Sequence, residues 1–398
     1  MKMRTLIKNG RLLTPQGEVE RGWLIIEDGV IRDLGTGTGP SGMSGPFDPV
    51  VDAEGGYVSP GFIDLHVHGG GGHDFMDGTV EAMAGAARQH LRHGTTAMVP
   101  TTLTCSDDEL YQVIDCYRKT KAHLTDGPVL LGLHLEGPYF TPVQAGAQDP
   151  AWLRSPSPDH YQPILDVGGD DIVRLSAAVE LDGALTLGDE LKRRGILGSI
   201  GHTDATYQDV VAALEHGFTH VTHLYSTMST IRRFNAYRVL GVIESVYLLD
   251  DLTVEIIADG SHLPPELLRL IVRHIAPERI CLVTDAMRGA GLPDGTTVQL
   301  GSLQKGQPAV IKDGVAFLPD FTAFAGSVCT ADRCVRTMHQ QAGLPVADAV
   351  RLMTENPARV IGVADRKGRL APGFDADLCL FDSDINVRHV FVGGQQRF

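Results

Sequence analysis

Ser59-Pro60-Gly61-Phe62-Ile63-Asp64-Leu65-His66-Val67-His68 runs directly into Gly69-Gly70-Gly71-Gly72. The apolar run over 61–67 reads as a buried strand, and side chains two apart on a strand point the same way. His66 and His68 therefore face one cavity, which is how a strand end offers two nitrogen ligands to a single metal ion. Two histidines packed in a core would give the same pattern, so the reading turns on what the other strand ends carry.

Short apolar runs recur at 61–67, 95–100, 129–135, 173–179, 197–201, 218–223, 252–258 and 279–285, with helical patterns between them. The helix predicted over 79–93 stops at Gly94. The one over 204–216 carries Val210, Val211 and Leu214 as its apolar stripe and stops at Gly217. Eight strand–helix units in series favour an α/β fold of the (β/α)8 kind, a TIM barrel. A doubly wound sheet would bring ligands from its first and last strands together less readily. Glycines punctuate 286–327 and predict a β-hairpin excursion near 290–325, a flap over the barrel mouth, followed by helices near 328–343 and 346–355. Both chain ends carry short β runs, among them a hairpin over 23–31 that turns at Asp28-Gly29. They predict a small β-sandwich domain assembled from 1–58 plus 368–398 around a barrel domain over 59–367.

With 398 residues the chain can fill one barrel, which takes about 250, and a second small unit. A net charge of −15 without any basic block argues against nucleic acid or an anionic membrane as partner. A local pocket can still oppose that field and take an anionic small molecule. Cys105, Cys116, Cys281, Cys329, Cys334 and Cys379 are scattered without CxxC spacing and read as reduced thiols. The first ten residues lack the apolar run of a signal peptide, and no segment approaches the ~20 apolar residues of a membrane span. A cytoplasmic location is the expectation.

In a barrel the working residues sit where strands end at the C-terminal face. There the sequence places His66, His68, Glu136, His202, His223 and Asp285. Each alone reads as an ordinary hydrogen-bonded residue, an aspartate capping a helix for instance. Together, at the ends of strands 1, 1, 3, 5, 6 and 8, they point to a site for one or two divalent metal ions, with Glu136 able to bridge two cations. Such an ion lowers the pKa of its water to ~7 and polarises a carbonyl. Asp285 can take the water's proton and deliver it to the leaving group, so the parts describe hydrolysis of an amide or ester. Gly69–Gly72 is no phosphate loop, because no Gly-Lys-Ser/Thr follows. His134 and His220 read as core or supporting groups, and His90, His93, His123, His216, His274 and His339 as surface. Tyr139 and Gln148 are loop residues placed to line a pocket, and His73 reads as an ordinary residue beside the glycine turn.

The same residues carry a family resemblance. The opening stretch over 59–69 resembles the signature of the amidohydrolase superfamily. The set His134-Leu135-Glu136-Gly137-Pro138, Gly201-His202-Thr203-Asp204-Ala205, Thr222-His223-Leu224-Tyr225, Ala258-Asp259-Gly260-Ser261-His262 and Val283-Thr284-Asp285-Ala286-Met287 is similar to N-acetylglucosamine-6-phosphate deacetylases. Ala325-Gly326-Ser327, Asn356-Pro357-Ala358-Arg359 and Gly373-Phe374-Asp375-Ala376-Asp377-Leu378 match later segments in order. The resemblance implies that Glu136, His202 and His223 hold the principal ion, zinc or iron, and that His66 and His68 join Glu136 around a second. It implies Asp285 as general base and then acid, His262 as a substrate contact, and a homodimer in which an arginine reaches the neighbour's substrate phosphate. The implied reaction is N-deacetylation of N-acetylglucosamine-6-phosphate to glucosamine-6-phosphate and acetate. The alternatives are N-acetylgalactosamine-6-phosphate, an unphosphorylated sugar, a D-aminoacylase or cyclic-amide hydrolase with Glu136 in place of a carboxylated lysine, and a non-catalytic scaffold.

The departures from the family pattern fall on the substrate side. Ser226-Thr227 stands where the family has Asn-Ala. The segment that usually supplies the arginine reads Arg232-Arg233-Phe234-Asn235-Ala236-Tyr237-Arg238, with Arg238 preferred among three candidates. Ala145-Gly146-Ala147-Gln148 replaces Lys-Gly-Ala-His, so Gln148 takes the place of an imidazole.

Overall fold

A computed structural model describes residues 4–37, 39–40, 47–322 and 324–398. Parts of the expected terminal domain (1–3, 38 and 41–46) and Ala323 of the excursion lie outside the described residues. The chain forms a mixed α/β fold whose core is a run of parallel strands: β1 (Phe62–Val67), β2 (Thr95–Pro100), β3 (Leu133–Glu136), β4 (Ile172–Ala177), β5 (Leu197–Ile200), β6 (Phe218–Val221), β7 (Thr253–Ile257) and β8 (Ile280–Val283). Each falls within two residues of an expected strand at either end, except that the third run divides into Val129–Leu130 and β3. Strands β3 to β8 pair in sequence as one curled sheet, while β1, β2 and Val129–Leu130 form another. Isolated parallel bridges at Thr101–His134 and Val67–Ala286 connect the two.

These segments become strands because both faces are apolar and buried. All six residues of β1, of β2 and all four of β8 are buried, as expected for parallel sheets covered by helices. The intervening helices are set by their caps. The helix expected from 204 starts at Tyr207, because the Thr206 hydroxyl accepts from the Asp209 amide while the Asp209 carboxylate accepts from the Thr206 amide. Asp204 is diverted by its own amide, which donates to Glu180 at 2.7 Å. Thr79 likewise caps Val80–Leu91.

The two chain ends meet in one sheet. Its order is Gln395–Gln396, Val387–Val392, Leu378–Phe381, Tyr57–Pro60, Arg4–Thr14, Gly17–Glu27 and Val30–Thr36, with Val50–Asp52 added to the Arg4–Thr14 strand. Tyr57–Pro60 runs straight into β1 and pairs antiparallel with Leu378–Phe381, tying this sheet to the site-bearing strands. The expected hairpin excursion is larger than a hairpin. Thr297–Leu300, Gln307–Lys312, Val315–Phe317 and Phe324–Ser327 form a four-stranded antiparallel sheet with a small core of its own around Ile311 and Val298. Among the described residues no helix is long and apolar enough to cross a membrane.

Candidate metal centre and active site

Six side chains from five strands converge where the sequence placed them. His66 lies inside β1, and Glu136 is the last residue of β3. His202, His223 and Asp285 each follow the end of their strand by two residues, and all three have positive φ, at 47°, 25° and 46°. A left-handed backbone at a non-glycine residue costs on the order of 1–3 kcal/mol and persists only when its surroundings enforce it. Here they do. The Asp285 amide donates to the His66 carbonyl at 2.9 Å, and the His223 amide donates to Glu255 Oε1 at 3.0 Å. Three strands thus end in one strained turn that aims a functional side chain into the mouth.

Glu136 is the hub. Its Oε1 lies 3.2 Å from His202 Nε2, 3.1 Å from His223 Nε2 and 3.4 Å from His66 Nε2, while Oε2 lies 3.4 Å from His68 Nε2. The two Nε2 atoms of His202 and His223 are 3.2 Å apart, as are those of His66 and His68. Ligands held 2.0–2.1 Å from a tetrahedral ion sit about 3.3 Å from one another, so these separations suit metal coordination. Tautomers agree with it. His202 Nδ1–H donates to the Gln144 carbonyl at 2.9 Å and His66 Nδ1–H donates to Glu255 at 2.6 Å. Both bonds leave Nε2 as a lone pair facing the cluster. Two overlapping ligand sets result, His66/His68/Glu136 and Glu136/His202/His223, all buried. Burial raises the Glu136 carboxyl, but the facing imidazoles hold it well below the usual carboxylate range. Asp285 Oδ1 completes the ring, 3.2 Å from His68 Nε2 and 3.4 Å from His66 Nε2.

Beneath the cluster lies a charged layer absent from the sequence expectations. Arg174 and Glu255, both fully buried, pair at 2.6 Å. Arg174 also donates to Ser199 Oγ, Thr222 Oγ1 and the Leu65 carbonyl. Glu255 in turn receives His66 Nδ1–H and the His223 amide, so it fixes one ligand from each set. The available signal was a charge at an alternate position inside an apolar strand: Arg174 in Ile172-Val173-Arg174-Leu175 and Glu255 in Thr253-Val254-Glu255-Ile256. His134 and His220 belong to this layer as core groups, bonded to Ser176 and Thr253.

Above the cluster opens a cavity of about 320 Å³. Of the expected substrate contacts, His262, Ser226, Thr227 and Gln148 line it, together with Ile257, Met287, Leu300, Leu318 and Phe324. His262 is oriented by Asp259, Nδ1 to Oδ2 at 2.8 Å. Burial depresses its imidazole, and the Asp259 carboxylate more than offsets this and raises it. Gly146, at φ 59°, passes so close to Thr227 that a Cβ there would meet its Cγ2 at 2.6 Å. Two expectations change, those for His90 and Tyr139, while the one for Arg238 concerns a neighbouring protomer's substrate. Arg238 lies outside the cavity lining, on the exposed hairpin of Arg232–Phe234 and Tyr237–Val239, and Arg232 pairs with Asp204. His90, expected at the surface, is fully buried with Nε2–H donating to the Gly69 carbonyl at 2.8 Å, because its helix face packs on the glycine turn after His68. Tyr139 is buried against His160 rather than in the pocket, and the six cysteines are free thiols.

The description "Amidohydrolase family" matches residues 57–397. The chain is 32% identical to an N-acetylglucosamine-6-phosphate deacetylase of Bacillus subtilis (strain 168), over 96% of this chain and 94% of that one. It is 30% identical to an N-acetylgalactosamine-6-phosphate deacetylase of Escherichia coli O157:H7, over 99% of both. Its structure superposes on a mutant N-acetyl-D-glucosamine-6-phosphate deacetylase from Mycobacterium smegmatis, solved in complex with N-acetyl-D-glucosamine-6-phosphate. There the TM-score is 0.88 at 32% identity, covering 100% of this chain and 99% of that one. A shared glutamate between two imidazole pairs, an aspartate beside them and a match running through nearly the whole sequence have one common explanation: this chain belongs to the amidohydrolase family, whose members are metal-dependent hydrolases.

Proposed function

We propose that the protein removes the N-acetyl group from an N-acetylhexosamine-6-phosphate, with N-acetylglucosamine-6-phosphate as substrate and glucosamine-6-phosphate and acetate as products. The observation that carries this reading is Glu136 shared by two imidazole pairs with Asp285 alongside, at the floor of a cavity. Glu136, His202 and His223 would hold one divalent ion and His66, His68 and Glu136 a second, with zinc or iron among the ions that imidazole donors suit. Bound there, such ions acidify water and polarise an amide carbonyl. Asp285 accepts a proton from the attacking water and returns it to the amide nitrogen as the C–N bond breaks. Glu255 holds His66 in the tautomer that presents Nε2. His262, oriented by Asp259, meets the substrate's polar groups from the cavity wall.

Among the described residues no lysine or arginine lines the cavity. The 6-phosphate would therefore meet Arg238 of a second protomer in a homodimer, presented on a hairpin whose Phe234 and Tyr237 are 66% and 78% exposed. Arginine suits that task through bidentate phosphate binding. In this reading the two parallel sheets close as a (β/α)8 barrel over 59–367, and 1–58 with 368–398 form the small β domain of a cytoplasmic enzyme. A galactosamine epimer is the second reading, favoured by Ser226-Thr227 and Gln148, which alter the polar groups facing the sugar. Acetate release from a panel of N-acetylglucosamine-6-phosphate, N-acetylgalactosamine-6-phosphate and their unphosphorylated forms tests this. Turnover of the glucosamine phosphate at the highest kcat/KM is the expected result. Turnover of unphosphorylated sugars alone would overturn the phosphate assignment, and no acetate from any would overturn the deacetylase reading.

A further inference from the structure

Gln148 holds a carboxylate oxygen of the shared ligand, a role no motif in the sequence signals. Its side chain is 4% exposed, and both ends of its amide are pinned. Oε1 accepts from the Thr104 backbone amide at 2.8 Å, and Nε2 donates to Glu136 Oε2 at 2.7 Å. The Thr104 N–H can only donate and the carboxylate can only accept, so the amide has one orientation. The two oxygens of Glu136 face different neighbours. Oε1 sits among His202, His223 and His66, whereas Oε2 faces His68 at 3.4 Å. The oxygen that Gln148 restrains is the one on the His68 side.

We propose that Gln148 is a positioning residue for the second metal site: by fixing the rotation of the Glu136 carboxylate through Oε2, it sets the affinity of the His66/His68/Glu136 site and leaves that of the Glu136/His202/His223 site to the imidazoles. The asymmetry lies in the carboxylate itself. Each set has one ring braced through Nδ1, His202 on the Gln144 carbonyl and His66 on Glu255, and one whose Nδ1 has no partner among the described residues, His223 and His68. Oε1 faces three imidazoles and keeps partners without Gln148, whereas Oε2, among the described residues, faces His68 and the Gln148 amide alone. Partners of this kind are worth roughly 10–100-fold in metal affinity.

This inference rests on the metal-site reading above, and titration with Zn²⁺ alone separates the two. Chelator-stripped wild type and Gln148→Met are titrated by calorimetry and checked for metal content after gel filtration. The expected result is two ions in the wild type, and in the variant a first ion within twofold of wild type with a second bound at least tenfold more weakly. A variant that binds both ions as the wild type does overturns the inference while leaving the metal centre intact. Equal weakening of both ions also overturns it, since general damage to the loop would do that. A wild type that takes up one ion removes the second site and the inference with it, and one that takes up none removes the metal centre as well. If the methionine variant does not fold, Gln148→Asn keeps the polarity, withdraws the amide by one methylene and gives the same readout.

Discussion

Arg174, below the candidate ligands, has no solvent exposure, hydrogen-bonds to Leu65 of β1, Ser199 of β5 and Thr222 just beyond β6, and pairs with Glu255 of β7 at 2.6 Å. Phe324, above them, is 38% exposed and packs on rings, with His262 at 4.7 Å and Phe317 at 5.1 Å. The two residues stand on opposite sides of one site, and they show that its floor and its roof are built by different means. The floor comes from strands and is held by directional bonds to buried charge, which cannot shift without leaving a charge unpaired. The roof comes from the turn at Ser226-Thr227 and the four-stranded excursion, and is closed by apolar contact that tolerates exchange. In the proposed reading, reaction chemistry belongs to the floor and substrate choice to the roof.

If that division holds, damage to the floor should cost far more than damage to the roof. The largest effect is expected for Asp285→Asn, which removes the proton carrier and should lower kcat by ~10²–10⁴ with metal content unchanged. Steady-state acetate release alongside metal analysis checks it, and a near-normal rate would remove Asp285 from that role. Arg174→Met strands Glu255 in a dry interior and should destabilise the protein by about 3–5 kcal/mol, read from urea midpoints. A change below about 1 kcal/mol would show that the buried layer is not what holds the floor.

A pH experiment sharpens the same contrast. Burial lowers the His90 imidazole to about 4 from 6.5, as it supports the glycine turn beside His68. The unfolded chain takes a proton at this residue below about pH 6.5, and the native protein does not until about pH 4. Stability is therefore fully present above the higher value and falls as pH drops through that window, by about 3 kcal/mol. In the metal-free protein, His90→Gln should flatten this part of the stability–pH curve, and an unaltered slope would contradict the assignment. The smallest effect is expected from the roof. Phe324→Ala should raise KM a few-fold, leave kcat within about twofold and change stability by about 0.5 kcal/mol or less, measured by the same assays.

The floor's candidate ligands could be read from the chain because continuous apolar strand runs give way, at or near their ends, to a histidine or a carboxylate. His202, His223 and Asp285 even share a spacing, two residues beyond the strand. What supports them could not be read in the same way. Arg174 and Glu255 come together from β4 and β7, and the local sign, a charge inside an apolar strand, does not tell which distant residue it pairs with. Gln148 reaches Glu136 across a loop whose path depends on the close approach of Gly146 to Thr227. The excursion looked like a hairpin because its strands are as short as three residues at Val315–Phe317 and its turns are rich in glycine. His90 was assigned to the surface because a polar residue on a helix usually faces water, and here the helix packs that face on backbone.

Glu136 gathers imidazoles from β1 and from beyond the ends of β5 and β6, and the proposed reaction depends on divalent ions held among them. The most direct test of that dependence is acetate release from N-acetylglucosamine-6-phosphate by protein stripped with a chelator and then titrated with Zn²⁺ or Fe²⁺. Activity is expected to vanish on stripping and to return in proportion to added ion, saturating at no more than two per chain. Turnover that survives complete removal of metal would contradict the dependence.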